Sequence, residues 1–95
     1  MLEKEIERRM VQAVKERGGL CYKFVSPCNP GVPDRIIITP DGRVIFVELK
    51  TEIGRLANIQ KWQLNEMRKR GVDVRVAKGW PAVKALLEEV LPSGL

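Results

Sequence analysis

An α/β domain with a mixed sheet is predicted by three features of this chain. An amphipathic segment opens it, two β-branched apolar runs flank a Pro-Asp-Gly turn, and a later alternating run lies between two further amphipathic segments. Strands separated by helices on either side define the class, and the turn makes the first pairing a hairpin.

The first helix is expected from Glu3 to Arg17, because Ile6, Met10, Ala13 and Val14 recur at helical spacing and Gly18-Gly19 can stop it. At about 100° per residue, Glu3 and Glu7 fall on the side of that stripe, and Glu5 falls opposite with Arg8, Arg9, Gln12 and Glu16. A carboxylate at Glu3 also favours the helix macrodipole, which is reason enough for its presence there. Cys21 lies in an expected strand as a small apolar residue, and Cys28 lies in a Pro-rich loop as a free thiol.

Arg35-Ile36-Ile37-Ile38-Thr39 reads as a strand, Pro40 to Arg43 as a turn, and Val44 to Lys50 as the returning strand. If Thr39 pairs with Val44, Asp34 faces Leu49, roughly 5 Å from the backbone between Glu48 and Lys50. Thr51 to Arg55 is a loop. A second helix is expected from Leu56 to Lys69, with Leu56, Gln60, Gln63, Leu64 and Met67 inward, Trp62 outward and Gly71 as its stop. Val72 to Ala77 alternates as a strand with three valines inward. Lys78 to Pro81 turns, and a last helix from Pro81 to Val90 presents Val83, Leu86, Leu87 and Val90 to the sheet. Pro92 to Leu95 is expected to fray.

Residues 1–95 are expected to form one domain, near the lower limit for a self-sufficient core, so a homodimer would help. Seventeen Lys and Arg against twelve Asp and Glu give a net charge of +5, which permits a polyanionic partner without requiring one. No apolar run approaches the roughly twenty residues that span a bilayer, and the charged start is no signal peptide, so a cytoplasmic protein is expected. Two cysteines and no histidine argue against a zinc site and exclude His-based nucleophile schemes. Carboxylates and lysines must do any chemistry.

Asp34 and Glu48 stand fourteen positions apart, with Lys50 two further on. At neighbouring strand ends, two carboxylates and an amine are the minimum set for holding a divalent metal beside an activated water. A bare Glu-x-Lys is more simply a cross-strand ion pair. Here, however, Pro33 stiffens the approach to Asp34, and Glu48 ends a buried-strand sequence in which a charge needs a purpose. Gln60 on an apolar helix face needs a partner, and a core amide or a helix-cap contact would provide one.

Gly31-Val32-Pro33-Asp34, Glu48-Leu49-Lys50 and a glutamine ten residues after that lysine form a set that resembles the PD-(D/E)xK nucleases. Within them it is similar to the small VRR-NUC domains, and the likeness extends from Gly18-Gly19 to Gly71-Val72-Asp73-Val74. The resemblance implies a restriction-endonuclease-like core and a metal-dependent phosphodiesterase acting on DNA. It implies Asp34 and Glu48 as ligands to Mg²⁺ or Mn²⁺, Glu7 completing the shell directly or through water, and the Leu49 carbonyl as a further ligand. Lys50 would orient the nucleophile and Gln60 would position water or phosphate. Glu3 also matches an acidic position of VRR-NUC domains, so the choice between Glu3 and Glu7 stays open.

Lys23, Arg35, Arg55 and Lys61 are candidate phosphate contacts, although such a residue is more often a solvated surface charge. A domain without appended recognition modules suits structure-selective cutting of Holliday junctions or flaps, and an outward Trp62 suits a dimer contact. Two alternatives remain: a non-catalytic basic nucleic-acid-binding module, and a small interaction domain serving assembly.

Overall fold

The computed structural model describes residues 1–92; of the frayed end expected over Pro92 to Leu95, all but Pro92 lies outside them. In chain order the elements are α1 (Glu3–Glu16), β1 (Leu20–Lys23), β2 (Arg35–Ile38), β3 (Val44–Lys50), α2 (Asn58–Lys69), β4 (Val74–Lys78) and α3 (Trp80–Val90). The four strands form one sheet in the order β1-β2-β3-β4, antiparallel except for the parallel β3–β4 pair. Crossing through α2 lets β4 return parallel to β3, which a tight turn could not do.

The stripe on α1 packs as its spacing predicts: Ile6, Met10 and Val14 are buried, Glu7 is half-buried and Glu5 exposed. The helix ends in a Schellman motif, with Gly19 N–H donating to Val14 O at 3.0 Å and Gly18 N–H to Lys15 O at 3.1 Å. Val83, Leu86, Leu87 and Val90 of α3 are buried beside that stripe, against Ile37, Ile45, Val47, Leu49 and Ala77 of the sheet. Each such Val, Leu or Ile side chain contributes roughly 1.5–3 kcal/mol by leaving water. Among the described residues no helix is long and apolar enough to cross a membrane.

Two expectations are corrected. In β4, Val74 lies in register with Phe46, on the face that α2 covers, whereas Ala77 enters the main core with Leu49. Helices pack on both sides of the sheet at β4, with α2 on the second face there while Leu20, Tyr22 and Val44 remain exposed, so alternation alone could not say which side holds the larger core.

The hairpin register is also one residue from that expected. Ile38 pairs with Val44, and Thr39 N–H donates to Arg43 O at 2.9 Å, which leaves a three-residue loop, Pro40-Asp41-Gly42. Gly42, at φ 87°, takes the left-handed position that such loops require. The buried Thr39 hydroxyl accepts from Arg43 N–H at 2.9 Å and donates to the Asp41 carboxylate, which seals the turn.

Candidate active site

Moving the register by one residue changes what faces what at the far end of the hairpin. Arg35 pairs with Val47, so the next pair along sets Asp34 opposite Glu48 instead of Leu49, with Glu48 met from α2 by Gln60 and Asp34 in the field of Glu7, Arg35 and Lys23. The chain enters Asp34 through a loop held on two sides. Phe24 N–H donates to Asp34 O at 2.8 Å, and Gln63 of α2 donates from Nε2 to Pro30 O at 3.1 Å. Gly31, at φ 87°, lies against the first turn of α2: a Cβ there would sit 2.8 Å from Ile59 O. The glycine of Gly-x-Pro-Asp is therefore needed for both its backbone angle and its lack of bulk.

Glu48 is a buried carboxylate, only 6% exposed. Phe46, two residues back on the same face, meets Phe24 edge-on at 5.4 Å. Burial, then the Asp34 charge, push the Glu48 carboxyl up to about 7, while Lys50 opposes the rise and Glu3 adds to it. Asp34 is also raised, first by burial and then by the Glu7 charge, with its own backbone N–H, Arg35 and Lys23 opposing. Its Oδ1 is buried without a hydrogen-bond partner. Two carboxylates both raised by burial, Glu48 further by the Asp34 charge and Asp34 with an orphaned oxygen, are a donor set that suits a divalent cation with a preference for oxygen ligands.

Gln60 meets both needs weighed for it. Its Oε1 accepts from Ala57 N–H at 2.8 Å, capping α2, and its Nε2 donates to Glu48 Oε2 at 3.4 Å. Lys50 follows Glu48 on the same face and is half-buried, with its carbonyl accepting from Gly79 N–H at 2.8 Å. The Leu49 side chain is in the core, 2% exposed, so only its main chain is available to the site.

Glu7 is engaged elsewhere: Arg35 donates from Nη2 to Glu7 Oε1 at 2.8 Å. That contact, more than the cost of burial, holds the Glu7 carboxyl below its usual range. Among the described residues no three acidic or thiol side chains lie close enough together to hold one ion. Glu7 and Glu3 thus act on the Asp34–Glu48 pair as outlying charges in this arrangement, Glu7 towards Asp34 and Glu3 towards Glu48.

The role of Arg35 as an ion-pair partner went unread in the sequence, where it stood only as a phosphate contact. Strand alternation held the signal, because Arg35 shares a face with Ile37, the face that α1 covers. Lys23, Arg55 and Lys61 are exposed. Cys21 packs at the edge of the core, and burial pushes its thiol up.

The VRR-NUC domain family profile matches residues 2–81. A solved structure described as "VRR_NUC domain" superposes with a TM-score of 0.84 at 30% identity, over 90% of this chain and 94% of that one. A second, "VRR_NUC domain protein", gives a TM-score of 0.76 at 18% identity over 96% and 88%, which shows the shared fold. The protein called "Putative nuclease p44" of Acyrthosiphon pisum secondary endosymbiont phage 1 is 52% identical over 48 residues, 50% of this chain. The match spans about half, 52%, of that curated relative's length. With the family profile covering both carboxylates, Lys50 and Gln60, this chain belongs to the VRR-NUC family of nuclease domains.

Proposed function

We propose that the chain is a DNA endonuclease that hydrolyses phosphodiester bonds with Mg²⁺ or Mn²⁺, selective for branched structures such as Holliday junctions or flaps. The observation that carries this reading is Asp34 level with the buried Glu48 and acting on it as a neighbouring charge, with Lys50 next along β3. Asp34 and Glu48 would hold the ion, with Glu7 contributing through water and the Leu49 carbonyl as a further ligand. When bound, the cation supplies Lewis acidity and neutralises charge on the phosphate, so no histidine base is needed.

Lys50 orients the attacking water and offsets the negative charge that builds on the pentavalent phosphorus. Gln60 fixes Glu48 by donating to Oε2, leaving the other oxygen free to face the ion. Burial of Glu48 strengthens each of these electrostatic contacts by excluding water. Lys23, Arg55 and Lys61 supply exposed cations for the DNA backbone, consistent with the net charge of +5.

A homodimer would set two such sites against the two strands of a junction, and the exposed Trp62 with its helical neighbour Ile59 offers apolar surface for the contact. The test is incubation of purified protein with four-way junction, flap, single-stranded and duplex DNA, in Mg²⁺, Mn²⁺ or EDTA. Cleavage that needs the metal and is lost in Asp34→Asn is expected. Binding without cleavage in every metal would establish the non-catalytic module instead.

A further inference from the structure

Ile53 is the most exposed large apolar side chain among the described residues, at 91%. A single exposed isoleucine is ordinarily unremarked. This one sits in the turn that leaves Lys50, and the turn is held from two sides. Gly54 N–H donates to Thr51 O at 3.0 Å, closing a β-turn over Thr51 to Gly54. A Cβ on Gly54 would lie 3.1 Å from Thr51 Oγ1 and 3.2 Å from Lys50 Cβ, so the turn folds tightly back on the strand end.

From the other side, Glu52 fills the notch left by Gly79, where an added Cβ would meet Glu52 Cγ at 2.3 Å. The backbone at Gly79 is itself tied to the Lys50 carbonyl. The apolar residue is thus presented to water on a clamped turn, with the exposed Arg55 following it.

We propose that Ile53 is a wedge that enters the DNA at an unstacked base step beside the phosphate approached by Lys50. The inference rests on the nuclease reading above and deepens it by naming what reads substrate structure. Three residues span at most about 11 Å between the Cα atoms of Lys50 and Ile53, which keeps the wedge on the same short stretch of DNA as that phosphate. Aliphatic wedges unstack base steps, and that cost is lowest where stacking is already broken, as at a branch or a mismatch. A turn held from two sides loses little conformational freedom on insertion, and the flanking Arg55 can meet the adjacent phosphate. A matched duplex offers the wedge no such opening.

Wild type, Ile53→Ala and Ile53→Leu are to be compared on a four-way junction and a matched duplex, with Mn²⁺. A second readout is the fluorescence of 2-aminopurine at the branch, measured in EDTA. Ile53→Ala is expected to lower the junction-to-duplex cleavage ratio by about tenfold and to abolish the rise in fluorescence on binding. Ile53→Leu should retain both, and all three proteins should melt alike. An unchanged ratio in Ile53→Ala, or a wild-type ratio near unity, would overturn the proposal. If wild-type protein cuts no DNA, the nuclease reading fails and fluorescence alone decides the wedge: a rise equal in wild type and Ile53→Ala, or no rise in either, rejects it.

Discussion

Gln60 links the first turn of α2 to Glu48, accepting from Ala57 N–H at 2.8 Å through one amide atom and donating to Glu48 Oε2 at 3.4 Å through the other. One side chain therefore serves both helix stability and carboxylate orientation, and substitutions can separate the two. Gln60→Glu keeps an acceptor for the helix cap but turns the donor to Glu48 into a like charge. Below about pH 7, where Glu48 holds its proton, it should melt close to wild type, while cleavage falls by about tenfold or more. Gln60→Ala should lose both, at a stability cost of about 0.5–1 kcal/mol. Thermal melts and cleavage rates on the same preparations check this, and equal activity in all three would remove Gln60 from the site.

The elevated Glu48 carboxyl gives the metal-free protein a pH-dependent stability of definite sign. Glu48 ionises near 4.5 when unfolded and at about 7 when folded, so between these values the folded state holds an extra proton. That stabilisation is complete below about 4.5 and is lost as pH rises through about 7. It amounts to at most about 3 kcal/mol. The raised Asp34 adds in the same direction, while the lowered Glu7 carboxyl acts only at more acidic pH. Denaturant titrations in EDTA from pH 5 to pH 8 should show the decline in wild type and a flatter profile in Glu48→Gln.

Divalent metal should reverse that decline. Mn²⁺ or Mg²⁺ relieves the repulsion between Asp34 and Glu48, so it should raise the melting temperature of wild type at pH 8 and affect Asp34→Asn much less. Because metal must displace the proton on Glu48, the apparent affinity should weaken as pH falls below about 7. Equal thermal shifts in wild type and Asp34→Asn would take Asp34 out of the site.

The Glu7–Arg35 pair makes Glu7→Gln a test of stability as well as activity. Removing its charge leaves a largely buried guanidinium donating to a neutral amide oxygen, at a cost of about 1 kcal/mol. Glu5→Gln, on the exposed face, should be nearly silent. Glu7→Gln should also cut cleavage at temperatures where it remains folded. If instead Glu3→Gln abolishes cleavage and Glu7→Gln only lowers the melting temperature, the helix carboxylate that serves the metal is Glu3.

Light scattering at micromolar concentration tests the dimer, against a chain mass of 10.8 kDa. A mass near twice that value is expected, and Trp62→Ala, which strips a 55% exposed aromatic from α2, should shift it towards the monomer. A dimer as stable as the parent would place the contact elsewhere.

The sequence by itself determined the elements and most of their faces. Ile6, Met10 and Val14 on α1, and Val83, Leu86, Leu87 and Val90 on α3, were legible because helical periodicity depends only on local geometry. The same holds for the two β-branched runs and for Glu48 and Lys50 sharing a strand face. The family resemblance was legible in Gly31-Val32-Pro33-Asp34, Glu48-Leu49-Lys50 and Gln60, since short spacings survive in one dimension.

Tertiary structure alone decided which groups meet. A three-residue loop closed by Gly42, where a four-residue turn was equally compatible with the residues, moved Asp34 from Leu49 to Glu48. Arg35 reached Glu7, 28 positions away, because α1 lies over its strand face. Gln60 could cap α2 and hold Glu48 together only once α2 had crossed β3. Contacts between elements depend on register and crossing distance, and a change of one residue or a few ångströms redirects them without altering any local pattern.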